Sequence, residues 1–444
     1  MATKQKQLKN EPKNVQNDDQ VQQGGGFING TIRIVLVLIL VAYMLKPYIF
    51  DKPQTSNAEL QNFAVHGNVM GTTWNAVVCA NANKLIEINS ADDSSSDETI
   101  DSCEVLLARI IQRKLDQVDK IASTYRADSE VSKFNASQST DWFDVSPETA
   151  EIVSIAQKVA KNTNGAFDVT VAPLVNLYRF GPTKSPLVAL PSDEQIDAVK
   201  QNVGYANLEV RLTPKPGLKK SIPSLTIDLS GVAKGYSVDL AGKELEKLGL
   251  DSYMIEVGGE IRCRGEKVDP DTLKRKPWAL GIQTPEIVVN DGASHTPEIY
   301  RLVNFSSHDQ SSALATSGDY QNFLQVGSVR FSHIVDPRTG KPTEIVDEND
   351  PKTERLGSVS VLSNSCDELS CAEADAYATA FFVLGVEEGP AIAEKLGTPV
   401  LYLVRKDDSA KELSEVFSSA FGSFDSKTLE QIKEEMKSEE KSSK

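Results

Sequence analysis

The sequence predicts an α+β fold. Segments with a helical period and segments with a strand period both occur, and they do not alternate in a strict βαβ order. Hydrophobic residues make up 40% of the 444 positions, enough for a substantial core. The net charge of −16 argues against a nucleic-acid partner, because phosphate binding needs a basic surface. No internal repeat is present.

Residues 1–30 are polar, carry Gly24-Gly25-Gly26, and read as a disordered cytoplasmic arm. Ile34 to Leu45 is an unbroken apolar run. Lys4, Lys6, Lys9, Lys13 and Arg33 precede it, while only Lys46 and Lys52 closely follow. The positive-inside rule then makes 31–50 a single-pass transmembrane signal anchor in the inner membrane, with the rest of the chain extracytoplasmic or periplasmic. A cleaved signal peptide and a buried helix are the other readings of such a run. No Cys follows closely enough for a lipoprotein anchor. Residues 51–62 form a linker, 63–424 one folded domain, and 425–444 a charged tail.

Within the domain, Leu107, Ile111, Leu115 and Val118 repeat at helical spacing over 105–121. Ser146 and Pro147 open a second helix as cap and first residue, and Gly165 stops it. Leu225–Leu229 reads as a strand, and Ser230–Leu248 as a helix closed by Gly249. Ser252–Cys263 alternates like a strand broken at Gly258-Gly259. Ser358–Leu362 and Val400–Val404 are strands, and Glu373–Leu384 is an apolar helix ending at Gly385. The polar stretches 90–102 and 285–312 read as surface loops. Of the five cysteines, Cys79 with Cys103 and Cys366 with Cys371 are candidate pairs. Zinc is not expected, since the spacing is wrong and the four histidines are scattered.

Several segments carry chemistry. Asp228 to Gly235 ends a strand and opens a helix, and Lys234 stands in its first turns, where acids are normally preferred. A lysine against the helix dipole makes sense beside a bound anion, although on this segment alone a plain surface lysine is the simpler reading. Asp375 and Thr379 are four residues apart and share a helix face in apolar surroundings. A buried carboxylate needs a cation or several donors, so a hard ion such as Mg²⁺ and a local cap are both open readings. His333 precedes the turn Asp336-Pro337-Arg338-Thr339-Gly340 and is either a general base or structural. Asp168 follows Gly165-Ala166-Phe167 ahead of an apolar strand, where it either accepts from a heterocycle N–H or closes a turn. Ala315 to Tyr320 is a small-residue loop that turns the chain or lines a ligand.

In this order the segments resemble the ApbE family of FAD:protein FMN transferases. The matching stretches are Met70-Gly71-Thr72, Ser123-Thr124-Tyr125 with Ser132 to Asn135, Gly165 to Asp168, Asp228 to Tyr236, Val257 to Glu260, Ala315 to Tyr320, His333 to Gly340 and Ala374 to Thr379. The resemblance implies the family fold, with mixed, largely antiparallel sheets and packed helices. It implies FAD as substrate, Mg²⁺ as cofactor, FMN transfer to a Thr or Ser hydroxyl of an exported redox protein, and release of AMP. Flavin contacts are then expected at Met70, Tyr125, Ala166, Phe167, Asp168, Asp228, Lys234 and Ile334. Mg²⁺ is expected at the Gly231 carbonyl, Asp375 and Thr379, and His333 is the expected base. By analogy the acceptor is a subunit of sodium-pumping NADH:quinone reductase or of an Rnf-type complex. A hydrolase passing FMN to water and a non-catalytic FAD-binding protein are the competing functions.

Overall fold

The computed structural model describes residues 60–91, 102–182, 187, 189–285, 298–305, 307–319, 323–343, 345–347, 354–365, 370–406 and 412–434. Eight strands form the central sheet: β1 (Leu60–Val69), β2 (Thr72–Asn81), β3 (Tyr253–Val257), β4 (Glu260–Gly265), β5 (Ser307–Gly318), β6 (Arg355–Ser365), β7 (Val400–Arg405) and β8 (Leu413–Phe417). Their spatial order follows their chain order and every neighbouring pair is antiparallel. Each long insertion therefore leaves the sheet and returns to the next free edge.

Side chains alternate across this sheet. Ala313, Ala315, Val359, Val361, Val400 and Tyr402 join the larger core, while Leu314, Leu362, Leu401 and Leu403 join a second core on the opposite face. Of the helices α1 (Ala82–Ala91), α2 (Cys103–Ala122), α3 (Glu130–Ala136), α4 (Pro147–Asn162), α5 (Ala172–Leu177), α6 (Asp193–Lys200), α7 (Ser230–Lys247) and α8 (Ser370–Leu396), α5 and α6 form a separate third core with Tyr178, Phe331 and Val335, and the others contribute to the core on the first face. A three-stranded sheet of Trp278–Gln283, Ile299–Phe305 and Ser426–Thr428 supplies Trp278, Leu280, Ile282, Val303 and Phe305 to the second core. The result is a helix–sheet–sheet sandwich, an α+β architecture with antiparallel sheets.

The helix signals hold. Leu107, Ile111, Leu115 and Val118 are fully buried on α2. Ser146 Oγ accepts from Thr149 N at the start of α4, with Pro147 as first residue. Gly249 follows α7 with φ 73°, and Gly385 breaks α8 with φ 64°. The Ser252–Cys263 alternation is the β3–β4 hairpin, turned by Gly258 and Gly259.

Five expectations need correction. Leu225–Leu229 is not a strand, because its backbone partners are not a neighbouring strand. Ile227 exchanges two 2.8 Å bonds with the Asn135 side chain, and Asp228 N donates to Val169 O at 2.7 Å. Val169–Val171 is a 3₁₀ turn leading into α5, since Asp168 caps it and Pro173 follows. The 285–312 stretch contains two strands, Ile299–Phe305 and the start of β5, and Ala315–Gly318 lies within β5. Its polar composition hid the alternation that buries Arg301, Val303 and Phe305. Cys79 and Cys103 are free thiols, as is Cys371, while Cys366 lies outside the described residues.

The domain edges also differ in detail. β1 begins at Leu60, and Ser426–Thr428 lies beyond 424 as a paired strand. The arm and anchor segments, 1–30 and 31–50, fall outside the described residues. Among those described, no helix is long and apolar enough to cross a membrane.

Candidate functional site

The site forms where α7 crosses α8 above the β3–β4 hairpin. The crossing is close because Gly235 lacks a side chain: a Cβ there would lie 2.4 Å from Cys371 O. That contact brings the first turn of α7 against the helix carrying Asp375 and Thr379. Asp375 is 3% exposed, and its Oδ2 accepts from Gly235 N at 3.0 Å. In a helix that amide is the partner of the Gly231 carbonyl. Asp375 and the Gly231 carbonyl therefore converge on one N–H. A Cβ on Gly231 would stand 3.4 Å from Thr379 Oγ1 and 3.1 Å from the Phe167 ring. Thr379 Oγ1 in turn lies 3.2 Å from Ser317 Oγ on β5. The three residues expected to hold a metal are thus brought together, with Phe167 beside them.

The charges here are unbalanced. Lys234 Nζ lies 2.5 Å from Glu260 Oε2, an ion pair without a well-directed hydrogen bond to that oxygen. Asp375 Oδ1 has no hydrogen-bond or ion-pair partner among the described residues. Glu256, held by Asn75 Nδ2 at 2.8 Å and Gly259 N at 2.7 Å, adds a third carboxylate. Burial pushes the Glu260 carboxyl above the ordinary glutamate range, against the pull of Lys234, and Asp375 raises it further. Burial likewise raises Asp375, opposed by Lys234 and the Gly235 amide. Burial alone would depress the Lys234 ammonium, but Glu260 and then Asp375 overcome it and hold it above the ordinary lysine value. Three carboxylates around one ammonium leave a deficit of positive charge that a divalent cation would fill.

The remaining expected residues lie on the β1–β2 hairpin, at the turn into α7 and in the segments around Tyr125, Asp168 and His333. Met70 turns the β1–β2 hairpin with Gly71, and its φ of 49° is a left-handed conformation costly for a side-chain-bearing residue. A Cβ on Gly258 would lie 2.9 Å from Thr72 and 3.5 Å from the Lys234 stem, which links that hairpin to the centre. Asp228 Oδ1 accepts from Ser230 N at 2.9 Å and Ser230 Oγ at 2.5 Å, fixing the turn into α7. Tyr125 is 63% exposed, and its hydroxyl donates to Phe180 O at 3.4 Å. Partial burial of that hydroxyl, and then the nearby Asp228 carboxylate, push the phenol above its usual value. Phe180 packs edge-on to His333, with ring centroids 6.1 Å apart. His333 itself follows the strand Val329–Ser332.

Ala166 and Ile334 are buried in the main core. Asp168 accepts from Thr170 N at 2.8 Å, Thr170 Oγ1 at 2.7 Å and Tyr205 N at 2.7 Å, so its carboxylate closes the turn before α5. The downstream turn is held by Asp336, whose carboxylate pairs with Arg338 and whose carbonyl accepts from Gly340 N at 2.7 Å.

Residue-by-residue reading missed Phe180, Ser317 and the role of Glu260. Phe180 carries no sequence signal. Ser317 was hidden by taking its strand for a loop. Glu260 was detectable as a charge at an inward strand position immediately after Gly-Gly.

The ApbE family model matches residues 70–402. The chain is 38% identical over 361 residues to the FAD:protein FMN transferase of Vibrio cholerae serotype O1, covering 81% of this chain and 92% of that one. It is 33% identical over 382 residues to the FAD:protein FMN transferase of Escherichia coli K12, covering 86% and 95%. Among solved structures, the flavin transferase ApbE from Vibrio cholerae matches with a TM-score of 0.61 at 35% identity, over 83% of this chain and 100% of that one. The apo flavinyl transferase ApbE from Pseudomonas stutzeri matches with a TM-score of 0.62 at 29% identity, over 83% and 98%.

Proposed function

The chain belongs to the ApbE family, and from that premise we propose that it transfers FMN from FAD to a Thr or Ser hydroxyl of an exported redox protein. The acceptor oxygen forms a bond to the FMN phosphorus, the pyrophosphate P–O bond breaks, and AMP leaves with the electron pair. The observation that carries this reading is the convergence of Asp375, Thr379 and Gly231 on one turn of α7, with the Lys234 ammonium one turn further along.

That donor set fits Mg²⁺. Among the described residues no three His, Cys, Asp or Glu side chains cluster as metal ligands. Mg²⁺ characteristically takes one or two carboxylates and completes its shell with water and substrate phosphates. The open Asp375 Oδ1, the Thr379 hydroxyl and the Gly231 carbonyl are hard oxygen donors of that kind. When bound, the ion supplies charge neutralisation on the pyrophosphate. Lys234 and the positive end of the α7 dipole hold the same pyrophosphate from the protein side. Met70, Tyr125, Ala166, Phe167, Asp168, Asp228 and Ile334 are the flavin-side residues, with the exposed Tyr125 ring available for stacking. His333 takes the acceptor proton.

The apolar run within 31–50 anchors the chain and presents the domain outside the cytoplasm, where an exported acceptor is met. Subunits of sodium-pumping NADH:quinone reductase or of Rnf-type complexes are the acceptors suggested by family analogy.

The test combines the protein, FAD, Mg²⁺ and a candidate acceptor domain, followed by a denaturing gel viewed for flavin fluorescence. A fluorescent acceptor band that disappears with EDTA is the expected result. FMN and AMP released with no labelled acceptor would replace transfer with hydrolysis. Tight FAD binding without turnover would make the protein a binding module.

A further inference from the structure

Gly258, Gly259 and Glu260 hold neither metal nor flavin in the scheme above, yet they shape the surroundings of Lys234. β3 and β4 are joined by a two-residue turn in which Gly258 has φ 59° and Gly259 φ 110°, conformations that side-chain-bearing residues rarely adopt. A Cβ on Gly258 would stand 3.5 Å from Lys234 Cδ and 2.9 Å from Thr72 Cγ2, so the bare turn lies along the aliphatic stem of the lysine. Beyond the turn, Glu260 enters β4 with only 2% exposure and meets the ammonium at 2.5 Å.

Lys234 therefore has three carboxylates in its surroundings, Glu260, Asp375 and Glu256. It forms an ion pair with Glu260 and, among the described residues, none with Asp375. A lysine stem has four rotatable bonds, and its compact ammonium goes to whichever carboxylate is available. Without Glu260, Glu256 has both oxygens engaged by Asn75 Nδ2 and Gly259 N, so Asp375 is the partner left, and an ammonium seated there would take the place of a cation.

We infer that Glu260 is a positioning residue that tethers the Lys234 ammonium away from Asp375 and so leaves the Asp375 carboxylate open to a divalent cation. This rests on the metal assignment to Asp375, Thr379 and Gly231.

The test uses the full chain with Glu260→Gln, Glu260→Asp and, as a reference, Asp375→Ala. Three quantities are measured: Mn²⁺ binding by electron paramagnetic resonance with FAD present, FAD binding by flavin fluorescence without metal, and the Mg²⁺ dependence of FMN transfer. For Glu260→Gln the expected result is Mn²⁺ affinity weakened roughly 10–100-fold, the range for losing an outer-shell partner. FAD affinity without metal should stay within about threefold, and raised Mg²⁺ should restore most of the turnover. Glu260→Asp should recover part of the metal affinity, because it returns the charge. A purely structural role would instead lower the unfolding midpoint and leave a turnover defect that Mg²⁺ does not relieve. Either that pattern or wild-type Mn²⁺ affinity in Glu260→Gln overturns the tether. If Asp375→Ala also binds Mn²⁺ and turns over normally, the metal assignment itself has failed. If only Asp375→Ala loses Mn²⁺, the tether alone has failed.

Discussion

Two ionic clusters share the same three elements. Lys234 and Asp239 both lie on α7, Asp375 and the Cys371–Ala372 amides on α8, and Glu260 and Arg262 on the same face of β4. In the Arg262 cluster nearly every valence is spent. Its guanidinium donates to Asp239 at 2.6 Å, Tyr253 at 2.9 Å, Ser311 at 2.8 Å and Glu246 at 3.1 Å. Asp239 also accepts from Cys371 N at 3.2 Å and Ala372 N at 2.8 Å, which ties down the α8 N-terminus. The Lys234 cluster has an excess carboxylate, an open Asp375 oxygen and an ion pair lacking a directed hydrogen bond. The first arrangement is complete without a ligand and holds the helices in place. The second is incomplete and is where a cation and a phosphate fit. Electrostatic satisfaction, more than burial or charge count, separates scaffold from site here.

The largest test of that contrast is Asp375→Ala. Loss of the single charged metal ligand should abolish Mg²⁺-dependent transfer. The unfolding midpoint should hold or rise, because a carboxylate that burial penalises is removed. Full transfer activity in this variant would sink the assignment. Arg262→Met should behave oppositely, destabilising the fold by about 3–5 kcal/mol in denaturant titration, because Asp239 is left buried and unpaired. Equal stability losses in the two variants would erase the distinction.

His333→Ala stands outside both clusters. It should slow transfer by about 10²–10⁴ while FAD still binds, as expected for loss of a general base. Lost FAD binding with an intact fold would make His333 a binding residue instead.

The smallest expected effect is on pH dependence. The Glu260 carboxyl is raised by burial above the ordinary glutamate range in the folded protein. Native protein therefore binds this proton more tightly than unfolded chain does. The associated stability is fully present below the ordinary glutamate range and lost as pH rises from there through the raised folded-state value. Thermal unfolding of metal-free protein should show this decline, and Glu260→Gln should flatten it. An identical pH profile in the two proteins would refute the Glu260 contribution.

Local physics made much of this legible in advance. The period of Leu107, Ile111, Leu115 and Val118 determines α2, and the Ser146-Pro147 cap determines where α4 begins. Gly385 determines the break in α8, and the i, i+4 spacing places Asp375 and Thr379 on one face. Each depends on neighbours within a turn or two, and such information is written in consecutive residues. The ordered family motifs added the ligand and its expected contacts, which no spacing supplies.

Other features waited on the tertiary structure. Val169–Val171 has strand-forming residues but turns, because Asp168 and Tyr205 meet across the fold. Leu225–Leu229 looks like a strand but is held by the Asn135 side chain, 92 positions away in the chain. Ser307–Gly318 looks like a loop but fills the middle of the central sheet, since its neighbours β4 and β6 satisfy its backbone. Above all, sequence determined that Asp375 and Thr379 share a face, but not that Gly235 lets α7 approach within a bare backbone contact of Cys371. That crossing decides which carboxylate is left open, because hydrogen-bond and charge balance are properties of groups brought together from distant parts of the chain.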